Sequence, residues 1–186
     1  MAAPAEPVKP DCLVPWHDDP WTVEEALELP EERGSRIELV DGALLVSPAP
    51  KSGHQRILQR LQIALLPVLP SGTELLPGIN VRLPGQRLLI PDLAVVTTPD
   101  LDTVYYRARD VLLAAEIVSP SSRMLDRVLK RQLYAEAGVP FYLVVDPAGQ
   151  AVLFELAEGE YRESARGEDG RLSFTEPFEA TLDFTR

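Results

Sequence analysis

Asp92 and Glu116 are the residues of this chain whose settings most demand chemistry. Asp92 follows Pro91 in PDLAVV, and Glu116 lies inside VLLAAEIVS. Both runs read as strands, and acids are depleted in strand interiors and costly to bury unpaired. VLLAAEIVS is apolar almost throughout, as expected of a strand covered on both faces. For one such acid, a buried salt bridge is the simpler account. Two acids on consecutive strands repel within about 4–6 Å unless positive charge lies between them. A divalent metal supplies that charge, and an all-oxygen site suits Mg²⁺ or Mn²⁺. On the same ground, Glu116→Gln is expected to raise stability in metal-free buffer.

Residues two apart on a strand share a face, so Glu116 points with Val118 and away from Ala115 and Ile117. A helix follows directly, from Ser121 or Ser122 to about Ala137, closed by Gly138-Val139-Pro140. On it Asp126, Lys130 and Tyr134 form one stripe, and Leu125, Leu129 and Leu133 form an adjacent core stripe. The polar stripe can lean over the strand end and bring Lys130 to Glu116. The competing account is an Asp126–Lys130 surface pair, worth about 0.3–0.5 kcal/mol.

The elements that must position these groups follow from pattern. Residues 1–20 are proline-rich and aperiodic, an arm outside a single domain spanning 21–186. TVEEALELPEE carries Thr22 as N-cap and Glu25 three residues on, opening a short helix. RIELV and ALLVS flank Asp41-Gly42, a hairpin signal. Glu38 sits in the first of these strands, where an exposed strand acid is the simpler reading. Residues 51–69 show helical spacing at Ile57, Leu58, Leu61, Ala64 and Leu65. His54 lies in the first turn, where a lone histidine is more often a surface or capping residue than a ligand. Strands are expected at 73–83, at 87–97 without interruption, and at 111–119. FYLVVD follows as a buried strand, then a hairpin around Glu158-Gly159 and an edge strand in the tail. A strand–helix–strand unit over 111–146 implies a parallel pair in an otherwise antiparallel, mixed sheet.

The chain has 186 residues, 45% hydrophobic and 25% charged, which fits one soluble domain. The N-terminus lacks a signal-peptide pattern, no run reaches the ~18 apolar residues of a membrane span, and Cys12 is the only cysteine. These features imply a cytoplasmic protein with no membrane partner. The net charge of −11 argues against broad non-specific nucleic-acid binding. Charge is uneven, however. Between Tyr105 and Tyr134 six basic residues face three acids, and from Gln150 onward nine acids face four arginines. A basic island around an acidic site suits a phosphate-bearing substrate; ordinary solvated helix charges explain it equally.

Pro91-Asp92 followed by Glu116-x-Val118 resembles the PD-(D/E)XK nuclease superfamily. More narrowly, IELVDGALLVSPAP with HQRIL, LLIPDLAVV and AAEIVSPSSRMLDRVLKRQLYAEAGVPFYLVVDP resemble the Uma-type restriction endonuclease family over about residues 35–165. The resemblance implies an α/β, restriction-endonuclease-like fold: a central mixed β-sheet flanked by helices, with added N- and C-terminal β-hairpins. It also implies metal-dependent hydrolysis of phosphodiesters in DNA. Carried over, Asp92 and Glu116 bind Mg²⁺ (or Mn²⁺), and Glu38 is a third acidic site residue. The superfamily's lysine seat, two residues after the second acid, holds Val118 here, and Lys130 takes its place from the helix. The Lys130–Tyr134 spacing is similar to a glutamine–tyrosine motif of recombination-type nucleases, whose early-helix histidine ligand His54 matches in position. Arg123, Arg127 and Arg131 are then candidates for substrate phosphate contacts. Cutting both strands of a duplex is simplest for a homodimer. The alternative is a catalytically weak or inactive nuclease-fold protein that binds nucleic acid or a protein partner. A third account is a structural ion network of Glu38, Asp92, Glu116 and Lys130. The enzyme reading expects those four to meet in one solvent-open pocket.

Overall fold

A computed structural model describes residues 17–29, 35–100, 102–118 and 125–184, without the side chains of 125–127. The expected arm therefore falls almost wholly outside the described residues, as do Ser121, Ser122 and Arg123. The side chains of Leu125, Asp126 and Arg127 lie outside them too.

Helix α1 (Val23–Glu28) begins with the expected capping box: Thr22 N–H donates to Glu25 Oε2 at 2.9 Å, and Glu25 N–H donates to Thr22 Oγ1 at 3.2 Å. Strands β1 (Arg36–Val40) and β2 (Ala43–Ser47) form the expected hairpin. Asp41 and Gly42 both take positive φ, 49° and 85°, as a two-residue turn of this hand requires. Helix α2 (Ser52–Leu65) buries Ile57, Leu61 and Leu65 on one side.

The next two expected strands each divide. Residues 73–83 become β3 (Glu74–Pro77) and β4 (Val81–Leu83), broken at Gly78 with φ 61°. Residues 87–97 become β5 (Arg87–Leu89) and β6 (Leu93–Val96). Pro91 lies at the second break, and with no N–H it cannot extend a ladder. In both cases the chain changes sheets, so a second sheet stands beside the expected central mixed sheet.

Strand β7 (Tyr106–Arg107), absent from the sequence reading, adds a parallel edge to β4. Strand β8 (Val111–Ile117) leads to a wide helical segment, Leu125–Lys130, that continues into α3 (Arg131–Glu136). Strand β9 (Phe141–Val145) then pairs parallel with β8, the expected crossover. β10 (Ala151–Ala157) and β11 (Glu160–Gly167) form the next hairpin.

The expected tail edge strand is instead a separate two-stranded unit, β12 (Arg171–Phe174) with β13 (Ala180–Asp183). Both arms alternate buried and exposed residues, so the tail folds on itself and lays one face on the core.

The larger sheet runs β11-β10-β9-β8-β6-β3, and the second runs β2-β1-β5-β4-β7. One face of the larger sheet packs on α2 and the tail hairpin through Leu93, Val95, Leu113, Ala115 and Ile117. The other face, through Ala94, Val96, Ala114 and Val118, packs on α3 and the second sheet. Glu116 shares the parity of Ala114 and Val118, so its side chain enters the layer between the sheets.

Candidate active site

The four groups expected to converge do converge. Glu38, Asp92, Glu116 and Lys130 are the buried charged residues among those described, at 1–3% exposure each. Lys130 Nζ lies 2.9 Å from Glu38 Oε1 and 2.9 Å from Glu116 Oε1. One ammonium from the helical segment thus bridges carboxylates from two different sheets. Glu38 Oε1 also accepts the Ile90 N–H at 2.7 Å.

Asp92 sits where the chain leaves Pro91 and enters β6. Its Oδ1 accepts from Arg36 Nη1 at 2.8 Å, and its Oδ2 accepts from the Ile117 N–H at 2.8 Å. His54 Nε2 lies 2.9 Å from the same Oδ2. Because Ile117 follows Glu116, a single peptide unit joins the Asp92 group to the Glu116–Lys130–Glu38 group. Ile90 ties them again, since its carbonyl accepts from Arg36 Nη1 at 3.1 Å.

Burial alone would push the Asp92 carboxyl up. The His54 hydrogen bond, the Arg36 charge and the Ile117 N–H outweigh it and hold Asp92 below its ordinary value. For Arg36 burial works downward, but Asp92, then Glu116 and Glu38, raise it. Tyr134 is pushed well above an ordinary phenol, first by burial and then by the charges of Glu116 and Glu38. It therefore stays a neutral donor. Neither the Tyr134 hydroxyl nor His54 Nδ1 has a hydrogen-bond partner among the described residues.

A depressed Asp92 sets a pH dependence. Its ionised form stabilises the fold above the ordinary aspartate value of 3.8, and that contribution disappears as pH falls through the lower folded value. The gap in thermal midpoint between wild type and Asp92→Asn should be widest near neutrality and close toward pH 3. A gap that stays constant across a pH 3–7 melting series would show that the charge is not what Asp92 contributes.

A family model described as "Uma2: Putative restriction endonuclease" matches residues 23–185. The chain belongs to the Uma2 family. No curated protein matches the chain. Among solved structures, it is similar to a putative nuclease of the DUF820 family from Anabaena variabilis, at 17% identity and a TM-score of 0.69. That match covers 85% of this chain and 90% of the other, and at such identity it speaks for the fold. The Uma2 chain therefore has a mixed α/β, nuclease-like fold.

Several expectations change with the geometry. Glu38 is not an exposed strand acid, because the second sheet packs its face of β1 against the first. Lys130 is not half of a surface pair, since its ammonium lies between Glu38 and Glu116. His54 is not a surface or capping residue: its side chain is 13% exposed and bonds Asp92. Val118 is core at 1% exposure, so the seat after Glu116 holds no charge. The cluster is not solvent-open as expected. Its outer members are His54 and Arg36, whose side chain is 25% exposed. Two surface cavities of about 460 Å³ each lie elsewhere, near Tyr105 and Arg107.

Of the arginines expected to contact phosphate, Arg131 places its guanidinium over the Phe154 ring at 5.1 Å. Arg123 and the Arg127 side chain are outside the described residues. Arg36 escaped the sequence reading, although it lies two residues before Glu38 on the same strand face.

The donor chemistry of this Uma2 cluster, carboxylates with one imidazole, suits a hard divalent ion. Among the described residues, no three histidine, cysteine or acidic groups are already arranged around a common ion position. In the observed arrangement, Lys130 and Arg36 provide the positive charge that the acids require.

Proposed function

We propose that the protein is a metal-dependent endonuclease acting on DNA. The observation that supports this most is the meeting of Glu38, Asp92, Glu116 and Lys130 in one cluster, drawn from two strands, the residue that leads into a third and a helical segment. Asp92 and Glu116 would hold Mg²⁺ or Mn²⁺, with Glu38 and His54 beside them. When bound, the ion acidifies a water and polarises the scissile phosphate. Arg36 and His54 now occupy the Asp92 carboxylate, so an ion held there would compete with them for its oxygens. Lys130, held between two carboxylates, orients the attacking water or steadies charge building on the phosphate. Tyr134 supplies a neutral hydroxyl beside the same acids. A homodimer would place two such sites on the two strands of a duplex.

The test is nicking of supercoiled plasmid and of branched DNA with Mg²⁺ or Mn²⁺. Wild type should cut, EDTA should stop it, and Asp92→Ala should abolish it. Equal residual cutting by wild type and variant would point to a contaminant.

A second reading has its own observation. Every one of the four groups is nearly fully buried, and Asp92 is fully engaged by protein cations and an N–H. A nuclease fold kept as an ion-paired scaffold, binding nucleic acid or a protein without cutting, fits that burial. It predicts no metal-dependent cutting at all. Among the described residues, no helix is long and apolar enough to cross a membrane.

A further inference from the structure

A group of arginines lies toward the β7 edge of the smaller sheet, where β4 meets β7. Arg82 and Arg107 are direct partners in that parallel pair. Like charges set opposite each other on neighbouring strands are destabilising. Arg82 is compensated: its Nη1 lies 2.8 Å from Glu24 Oε1, and its guanidinium sits over the Tyr105 ring at 5.4 Å. Arg107 has no ion pair among the described residues. The Arg109 side chain is 71% exposed and lies 3.8 Å from the carboxylate of its neighbour Asp110.

Arg82, Arg107 and Arg109 line one cavity of about 460 Å³ with Tyr105, and no acidic residue lines it. Leu83 and Ala137 are among its apolar walls. In a chain with a net charge of −11, three arginines around one cavity are a local exception, and Arg107 is the one of them with no ion pair among the described residues. The volume exceeds what a bare phosphate needs and falls in the range of about 300–1,000 Å³ typical of small-molecule sites. Arginine forks suit phosphate oxygens, and an aromatic ring with apolar walls suits a flat base.

We propose that this cavity binds a nucleotide phosphate group, with Arg107 and Arg109 on the phosphate and the apolar wall against the base. The group comes from a free mononucleotide or from the phosphorylated end of a strand. The site is separate from the carboxylate cluster and does not depend on the nuclease reading.

Titration calorimetry in EDTA tests it, because no cutting can then occur. The probes are adenosine monophosphate, adenosine and a 5′-phosphorylated oligonucleotide. The monophosphate should bind at least about tenfold more tightly than adenosine, since charge-assisted contacts to the phosphate are lost. Arg107→Gln/Arg109→Gln should weaken it by a similar factor while the ligand-free thermal midpoint stays put, both side chains being exposed. A mononucleotide that binds as well as the oligonucleotide identifies the free ligand; an oligonucleotide that binds more tightly, with a strong salt dependence, identifies the strand end. Equal binding of monophosphate and adenosine, equal binding by wild type and the double variant, or no binding of any probe would overturn the assignment.

Discussion

Lys130→Met should destabilise the protein by about 3–5 kcal/mol, the usual result of removing one partner from a buried ion pair. Methionine matches the length of lysine and fills most of its volume, so cavity formation contributes little. What is lost is the ammonium 2.9 Å from both Glu38 and Glu116. The two carboxylates then face each other inside the protein without that cation. The loss should be reversible by design. Adding Glu38→Gln to Lys130→Met should recover part of the stability, because one of the two buried charges is gone. A double-mutant cycle by urea denaturation isolates the coupling, expected at about 1–3 kcal/mol for groups in one network. Additive effects would mean that the ammonium does not hold the two carboxylates together.

The same three residues show what could be read from the chain and what could not. The Glu116 strand, the following helix and the parallel return strand were legible because apolar runs and helical spacing are local patterns. Lys130 could be placed near Glu116 for the same reason, as one connection separates them. Glu38 resisted, because its burial depends on a sheet-to-sheet contact that no local pattern encodes. On the hairpin alone, RIELV looks half-exposed; β5, about fifty residues on, pairs with its free edge, and only the packing of this sheet on the larger one closes the face that carries Glu38.

The splitting of 73–83 and 87–97 was marked by Gly78 and Pro91. Each mark was weak alone, and the consequence, a second sheet, required knowing which partner each half would choose. Arg36 and His54 followed the same logic. Their contacts to Asp92 span 56 and 38 residues. Long-range pairing of this kind decides the site, whereas local pattern decides the elements that carry it.

Glu116→Gln is the variant on which the enzyme and scaffold readings diverge most. The substitution keeps shape and hydrogen-bonding reach but removes charge. If crowding of Asp92 and Glu116 dominated, neutralising one would stabilise the metal-free protein. With Lys130 bridging Glu116 to Glu38, the opposite sign is expected: the ammonium keeps one carboxylate instead of two, and melting should occur at lower temperature. A loss of about 1–3 kcal/mol is in scale for a charged hydrogen bond inside a protein.

Stability alone does not separate the readings, since both contain the bridge. Activity does. On the enzyme reading Glu116 holds an ion that would supply several kcal/mol of charge stabilisation in the transition state, so cutting by Glu116→Gln should fall at least about a hundredfold at saturating Mg²⁺. The assay is single-turnover nicking below the melting temperature of the variant, which keeps the folded fraction equal. Glu116→Gln that nicks at the wild-type rate while melting earlier would leave Glu116 a structural partner of Lys130 and remove it from the chemistry.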